Sequence, residues 1–129
     1  MEYMMLLAAA PDAWERNDPG ADDEVIDDWG AYTRALGEAG ILLGGHGLQG
    51  EDTATTVRLE GGRPLVTDGP YATVKEHLIG YYLLDAPDLD TVIEWAARAP
   101  HARIGSVEIR PVIPGSATRD MLEGGAGPA

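Results

Sequence analysis

Cysteine is absent from this 129-residue chain, which excludes disulfides, zinc–thiolate sites and a cysteine nucleophile, and suits a reducing compartment. Cationic residues are scarce. Nine Lys and Arg stand against 22 Asp and Glu, a formal charge of −13, so no basic stripe is available to neutralise the phosphates of a nucleic acid. No apolar run approaches the roughly 20 residues a membrane helix needs, and Met1 to Ala10 has no basic flank. These absences predict a cytoplasmic protein with neither a nucleic-acid nor a membrane partner. Metal and cofactor signatures are missing too. The three histidines, His46, His77 and His101, have no H-E-x-x-H or similar ligand spacing, and Gly44-Gly45-His46-Gly47 lacks the Lys-Ser/Thr of a phosphate loop. No metal and no cofactor is therefore expected.

What the chain does have is 44% hydrophobic residues, enough for one domain with a real core. Met4 to Ala9 is apolar at consecutive positions, as in a strand covered on both faces. Either Asp18-Pro19 or Asp22 starts a helix. Val25, Ile26, Trp29, Tyr32, Leu36 and Ala39 give it one apolar side, Gly40 stops it, and the carboxylates of its first half complement its dipole. Ile41 to Leu48 reads as a second strand whose glycine cluster suggests a bulge or a close backbone approach, leaving room beside His46. Thr53 to Glu60 and Arg63 to Thr67, joined by Gly61-Gly62, read as a hairpin. Leu78 to Leu84 is another two-sided apolar strand. A second helix follows Pro87-Asp88, with Leu89, Val92, Ile93, Ala96 and Trp95 as candidates for its inward side. Ser106 to Ile113 closes the domain, alternating Val107, Ile109 and Pro111 with Glu108, Arg110 and Val112. Residues 114–129, rich in Gly, Pro, Ser and Ala, predict a mobile tail without regular structure.

Between the hairpin and the next strand lies Asp68-Gly69-Pro70, which breaks the sheet abruptly. Gly69 accepts a positive φ and Pro70 has no N–H to offer a ladder, so Asp68 is left where a strand ends and the backbone bends. Such bends hold reactive groups on many scaffolds, and also serve as Asx-turns whose carboxylate only satisfies local N–H groups.

Asp68 to Glu76, followed by Gly80-Tyr81-Tyr82, resembles the Asp-Gly-Pro-Phe signature of the YCII-related domain family. Tyr3 to Leu7, Leu42 to Gln49, Ala54 to Arg58 and Gly105 to Val112 carry the resemblance further, over about residues 1–113. Tyr71 replaces the family's Phe, Thr73 an acidic residue and Val74 a Thr, and His46 occupies a place where a carboxylate or small residue is expected. The resemblance implies a dimeric α+β barrel. It also implies acid–base enzymes that include a dehydrochlorinase and are similar to muconolactone isomerases, and members placed near transcription initiation factors.

The order βαβ, hairpin, βαβ predicts an α+β, ferredoxin-like four-stranded antiparallel sheet with two helices on one face and an inserted hairpin. Its other face would be roofed by a second copy, giving a homodimer with a cavity. Asp68 and His46 are the candidate catalytic pair, an imidazole and a carboxylate suited to proton transfer near neutral pH. Arg110, Glu108, Tyr71 and Tyr82 are the candidate substrate-binding residues. Arg110 would hold a carboxylate or an enolate oxygen, one of Tyr81 and Tyr82 must reach the interior, and Glu108 and Arg110 form an ion-pair ladder in the alternative. Lys75 is read as solvated surface. The expected function is a cofactor-independent isomerase or lyase acting on a small, apolar molecule. The alternative is a non-catalytic ligand-binding or regulatory module with a protein partner.

Overall fold

The computed structural model describes residues 1–10, 22–70, 75–102 and 104–124, with side chains in the first helix from residue 28 onward. Tyr71, Thr73, Val74 and the Asp18-Pro19 helix start lie outside the described residues. The elements are β1 (Glu2–Ala9), α1 (Asp22–Glu38), β2 (Leu42–Gly47), β3 (Thr55–Glu60), β4 (Arg63–Asp68), β5 (His77–Asp85), α2 (Leu89–Ala97), β6 (Gly105–Pro111) and α3 (Thr118–Leu122). Strands β2, β5, β1 and β6, in that order, make one antiparallel sheet. Strands β3 and β4 form a separate two-stranded ribbon inserted between its halves. This is the ferredoxin-like α+β arrangement expected from the element order.

Each element follows from local chemistry. Asp88 caps α2, its Oδ1 accepting from the Thr91 N–H at 2.8 Å and the Thr91 hydroxyl at 2.7 Å. These bonds hold the Asp88 carboxyl below the usual carboxylate range. Gly40, at φ 75°, ends α1 in a left-handed turn in which the N–H of Ile41 reaches back to the carbonyl of Leu36 and that of Gly40 to Gly37. Gly61 and Gly62, both at positive φ, supply the two-residue turn of the β3–β4 ribbon.

Strand alternation decides which residues meet the helices. Tyr3, Met5, Leu7 and Ala9 of β1 are buried, opposite Leu84 and Tyr82 of β5 and Ile109 and Val107 of β6. Onto this face pack Trp29, Tyr32 and Leu36 of α1 and Val92 and Ala96 of α2. Tyr32 lies edge-on to Trp29, Tyr82 and Trp95, and its hydroxyl donates to the Trp95 carbonyl at 2.6 Å. Burial holds this phenol in its protonated form. Both helices thus cover one side of the sheet, and the other side carries neither. After Pro114, where the sequence predicts no regular structure, the five residues of α3 are helical.

Candidate functional site

The face that the helices leave uncovered is read directly from the strand register, because residues paired across antiparallel strands share a side. One rung runs His46, Tyr81, Leu6, Glu108 from edge to edge. The next runs Gly44, Leu83, Met4, Arg110. The middle of the face is apolar and its two edges carry the polar groups. Strands about 4.8 Å apart put the backbones of the two edge strands about 14 Å from one another.

At the β2 edge His46 Nδ1 and the Tyr81 hydroxyl share a hydrogen bond of 2.8 Å. The glycines around His46 explain how the strands reach this rung. A Cβ on Gly45 would lie 2.5 Å from the Tyr81 carbonyl oxygen, and one on Gly80 would lie 2.8 Å from the carbonyl oxygen of His46. Both positions admit only hydrogen, so β2 and β5 close on each other at this point. The register also slips between Leu42 and Gly44, which places Gly44 and His46 on the uncovered face.

At the β6 edge Arg110 Nε binds Glu108 Oε2 at 2.9 Å, with both side chains more than half exposed. The alternative foresaw a ladder across the sheet; the pair lies within β6 and engages Nε of the guanidinium. Tyr82, offered as a substrate contact, needs a correction. It pairs with Met5 on the helix side, is 9% exposed, and shares its hydroxyl with Thr33 Oγ1. Tyr81 is the tyrosine on the uncovered face. Sequence alone did not decide between the two, because β5 is apolar at odd and even positions alike and either tyrosine satisfies the pattern.

Asp68 is the last residue of β4, paired with Thr55 and exposed. Gly69 takes φ 103°, donates its N–H to the Ala54 carbonyl at 2.7 Å and accepts the Thr56 hydroxyl at 2.7 Å, which pins the bend to β3. Since Pro70 has no N–H, the Asx-turn to the second residue on cannot form, and among the described residues nothing hydrogen-bonds the Asp68 carboxylate. Nor does any hydrogen bond join Asp68 to His46; the recorded partner of that imidazole is Tyr81.

His101, singled out in the sequence only as a histidine without ligand spacing, is a core residue. It is fully buried against Trp29, with ring centroids 5.3 Å apart. Its Nε2 donates to the Ser106 carbonyl at 2.9 Å, and Ser106 Oγ donates to Glu76 at 2.7 Å. Burial lowers its pKa from the ordinary histidine value, opposed by the Ser106 carbonyl and the Glu76 charge. Among the described residues no three His, Cys, Asp or Glu side chains gather as a metal-holding group, and no helix is long and apolar enough to cross a membrane.

An uncharacterised protein of Rhizobium meliloti (strain 1021) is 36% identical over 102 residues, 78% of this chain and 80% of that protein. Among solved structures, the 5-chloro-2-hydroxyhydroquinone dehydrochlorinase of Burkholderia phenoliruptrix AC1100, in complex with 2,5-dihydroxybenzoquinone, superposes at a TM-score of 0.49 with 13% identity. That superposition covers 88% of this chain and 94% of the other. Residues 1–116 match the YCII-related domain, and the protein belongs to that family.

Proposed function

We propose that the protein is a small-molecule enzyme of isomerase or lyase type, working by proton transfer on the uncovered sheet face, with His46 as its base. The observation that carries this reading is the placement of an imidazole, hydrogen-bonded through Nδ1, beside an apolar floor of Leu6, Met4 and Leu83. A base on such a floor, once roofed, acts on a substrate body that the floor binds by burying its surface. Asp68 is the hairpin's carboxylate, and its part in this reading is to relay protons between the closed site and water. Its carboxylate is not consumed by a local turn, which leaves it available to a site closed over the sheet. Arg110 and Glu108 mark the far end of the floor, where an ion pair half open to water selects charge on a ligand's remote end.

The test begins with a thermal-shift screen of small lactones and hydroxylated aromatics, followed by turnover assays on the compound that stabilises the protein. His46→Ala and Asp68→Asn should each lower kcat about a hundredfold, within the range general acid–base groups contribute, with a much smaller effect on KM. Turnover unchanged in both variants eliminates the mechanism. A ligand that stabilises the protein without being turned over supports the non-catalytic module instead.

A further inference from the structure

The imidazole of His46 and the phenol of Tyr81 stand on adjacent strands with ring centroids 5.7 Å apart and the 2.8 Å bond between them. Two glycines that cannot take a side chain, Gly45 and Gly80, set the strands around this one rung. Neither side chain belongs to the buried core, and both rise from the face opposite α1 and α2. We propose that His46 and Tyr81 are a single proton-transfer couple in which Tyr81 is the acid, and that its substrates are small carbonyl compounds with an acidic C–H beside the carbonyl. This rests on the reading of the uncovered face as the site.

The shared hydrogen bond has two possible donors, and they differ in what they leave for a ligand. If the phenol donates to Nδ1, both groups are spent on each other and Nε2 carries a hydrogen. If Nδ1–H donates to the phenolic oxygen, Nε2 keeps its lone pair and the phenol's hydrogen turns toward whatever lies on the floor. The second arrangement holds a base and an acid side by side. Nε2 takes the proton from the carbon beside the carbonyl, the C–H electron pair becomes the C=C bond, and the carbonyl π pair moves onto oxygen. Tyr81 gives its proton to that oxygen, and the imidazolium returns its Nδ1 proton to the phenolate. The substrate leaves as its enol, with the proton it lost from carbon now on Nε2 and every charge cancelled. Exchange of the Nε2 proton with water, and reprotonation at Nδ1, restores the starting tautomer.

Placement also selects Tyr81 over Arg110 for the oxygen. Arg110 stands at the opposite edge, its backbone about 14 Å from that of His46 across the strands, and its Nε is held by Glu108 at 2.9 Å. Tyr81 is in contact with the base, so carbon and oxygen of one carbonyl group can be served together.

The full-length protein is tested with phenylpyruvate in D₂O, following loss of its methylene signal by proton NMR, alongside long-range ¹H–¹⁵N spectra that report the tautomer of His46. Wild type should exchange the methylene about a hundredfold faster than His46→Ala. Tyr81→Phe should lose about tenfold or more of that rate, and the His46 ¹⁵N signals should move as Nδ1 loses its partner. If His46→Ala loses exchange while Tyr81→Phe keeps both rate and spectrum, the role of Tyr81 is overturned and the site stands. If wild type exchanges faster than buffer and His46→Ala exchanges as fast as wild type, the site itself is overturned. Wild-type exchange no faster than buffer overturns the carbonyl assignment, and the Tyr81→Phe spectrum still reports whether the couple exists.

Discussion

His101 shows how one buried side chain writes itself into the stability of the molecule. Because the Ser106 carbonyl can only accept, Nε2 must carry the hydrogen in the neutral ring. Nδ1 then has its lone pair in a buried place with no partner among the described residues. Protonating Nδ1 adds a charge that burial against Trp29 disfavours, which is why the pKa lies below the ordinary histidine value of 6.5. The unfolded chain therefore binds the proton more readily than the folded one. Stability from this residue is complete above about pH 6.5 and is lost as the pH falls through the folded pKa. The melting temperature should decline from pH 7 to pH 5, before most carboxylates titrate. In His101→Gln, whose amide keeps a donor for Ser106 and has nothing to titrate, that decline should flatten. An equal slope in both proteins, measured by calorimetry, would assign the acid sensitivity to other groups.

At the scale of elements, the close approach of β2 and β5 depends on Gly45 and Gly80 more than on any side chain. Gly45→Ala would press a methyl against the Tyr81 carbonyl, and Gly80→Ala would press one against the carbonyl of His46. Backbone atoms cannot rotate away as a side-chain end can. Each substitution should cost about 1–3 kcal/mol in urea denaturation, as overpacking of a well-fitted site does. Gly44→Ala, with nothing within 4 Å of its added carbon, is the control and should stay close to wild type. Equal losses at all three positions would mean that strand propensity, and not the close approach, governs this edge.

The same elements show what was legible in the sequence. The cluster Gly44 to Gly47 announced a bulge or a close backbone approach, Gly61-Gly62 announced the ribbon, and Gly40 the helix stop, because glycine at such places has a steric reason visible from the residue alone. The period of α1 named Trp29, Tyr32 and Leu36 as its inner side, and β6 named Glu108 and Arg110 as outward, since alternation is clear where polar and apolar residues take turns. In β5 the signal fails. Ile79, Tyr81 and Leu83 are as apolar as Leu78, Tyr82 and Leu84, so only the pairing with β1 tells which tyrosine reaches the uncovered face. The partner of His46 was hidden for that reason. His101 was hidden for another: its place in the core comes from a turn, where no period exists to be counted.

In the molecule as a whole, large apolar side chains of the β3–β4 ribbon stand exposed. On the β3–β4 ribbon Val57 pairs with Val66 and Leu59 with Pro64, so these four side chains share one side of it, together with Asp68 and Thr55. Val57, Leu59 and Val66 are each at least 60% exposed. A two-stranded ribbon is marginal by itself, and an apolar side left in water marks a surface that another molecule covers. The proposed site has the same requirement, because a base on an open sheet works in bulk solvent until something excludes it. We propose a second copy for both needs; light scattering after size exclusion should then give twice the 13.7 kDa of the chain at low micromolar concentration. Leu59→Asp with Val66→Asp should yield a folded monomer, and should depress turnover together with association although neither residue is part of the His46 rung. Salt provides an independent check on the electrostatic side. Two copies each carrying −13 would repel one another over about 8–10 Å at ordinary ionic strength, so raising the salt should tighten the proposed dimer, whereas an interface made by ion pairs would weaken. A wild-type chain that stays monomeric at every salt concentration leaves the floor of Leu6, Met4 and Leu83 without a roof, and the enclosed site with it.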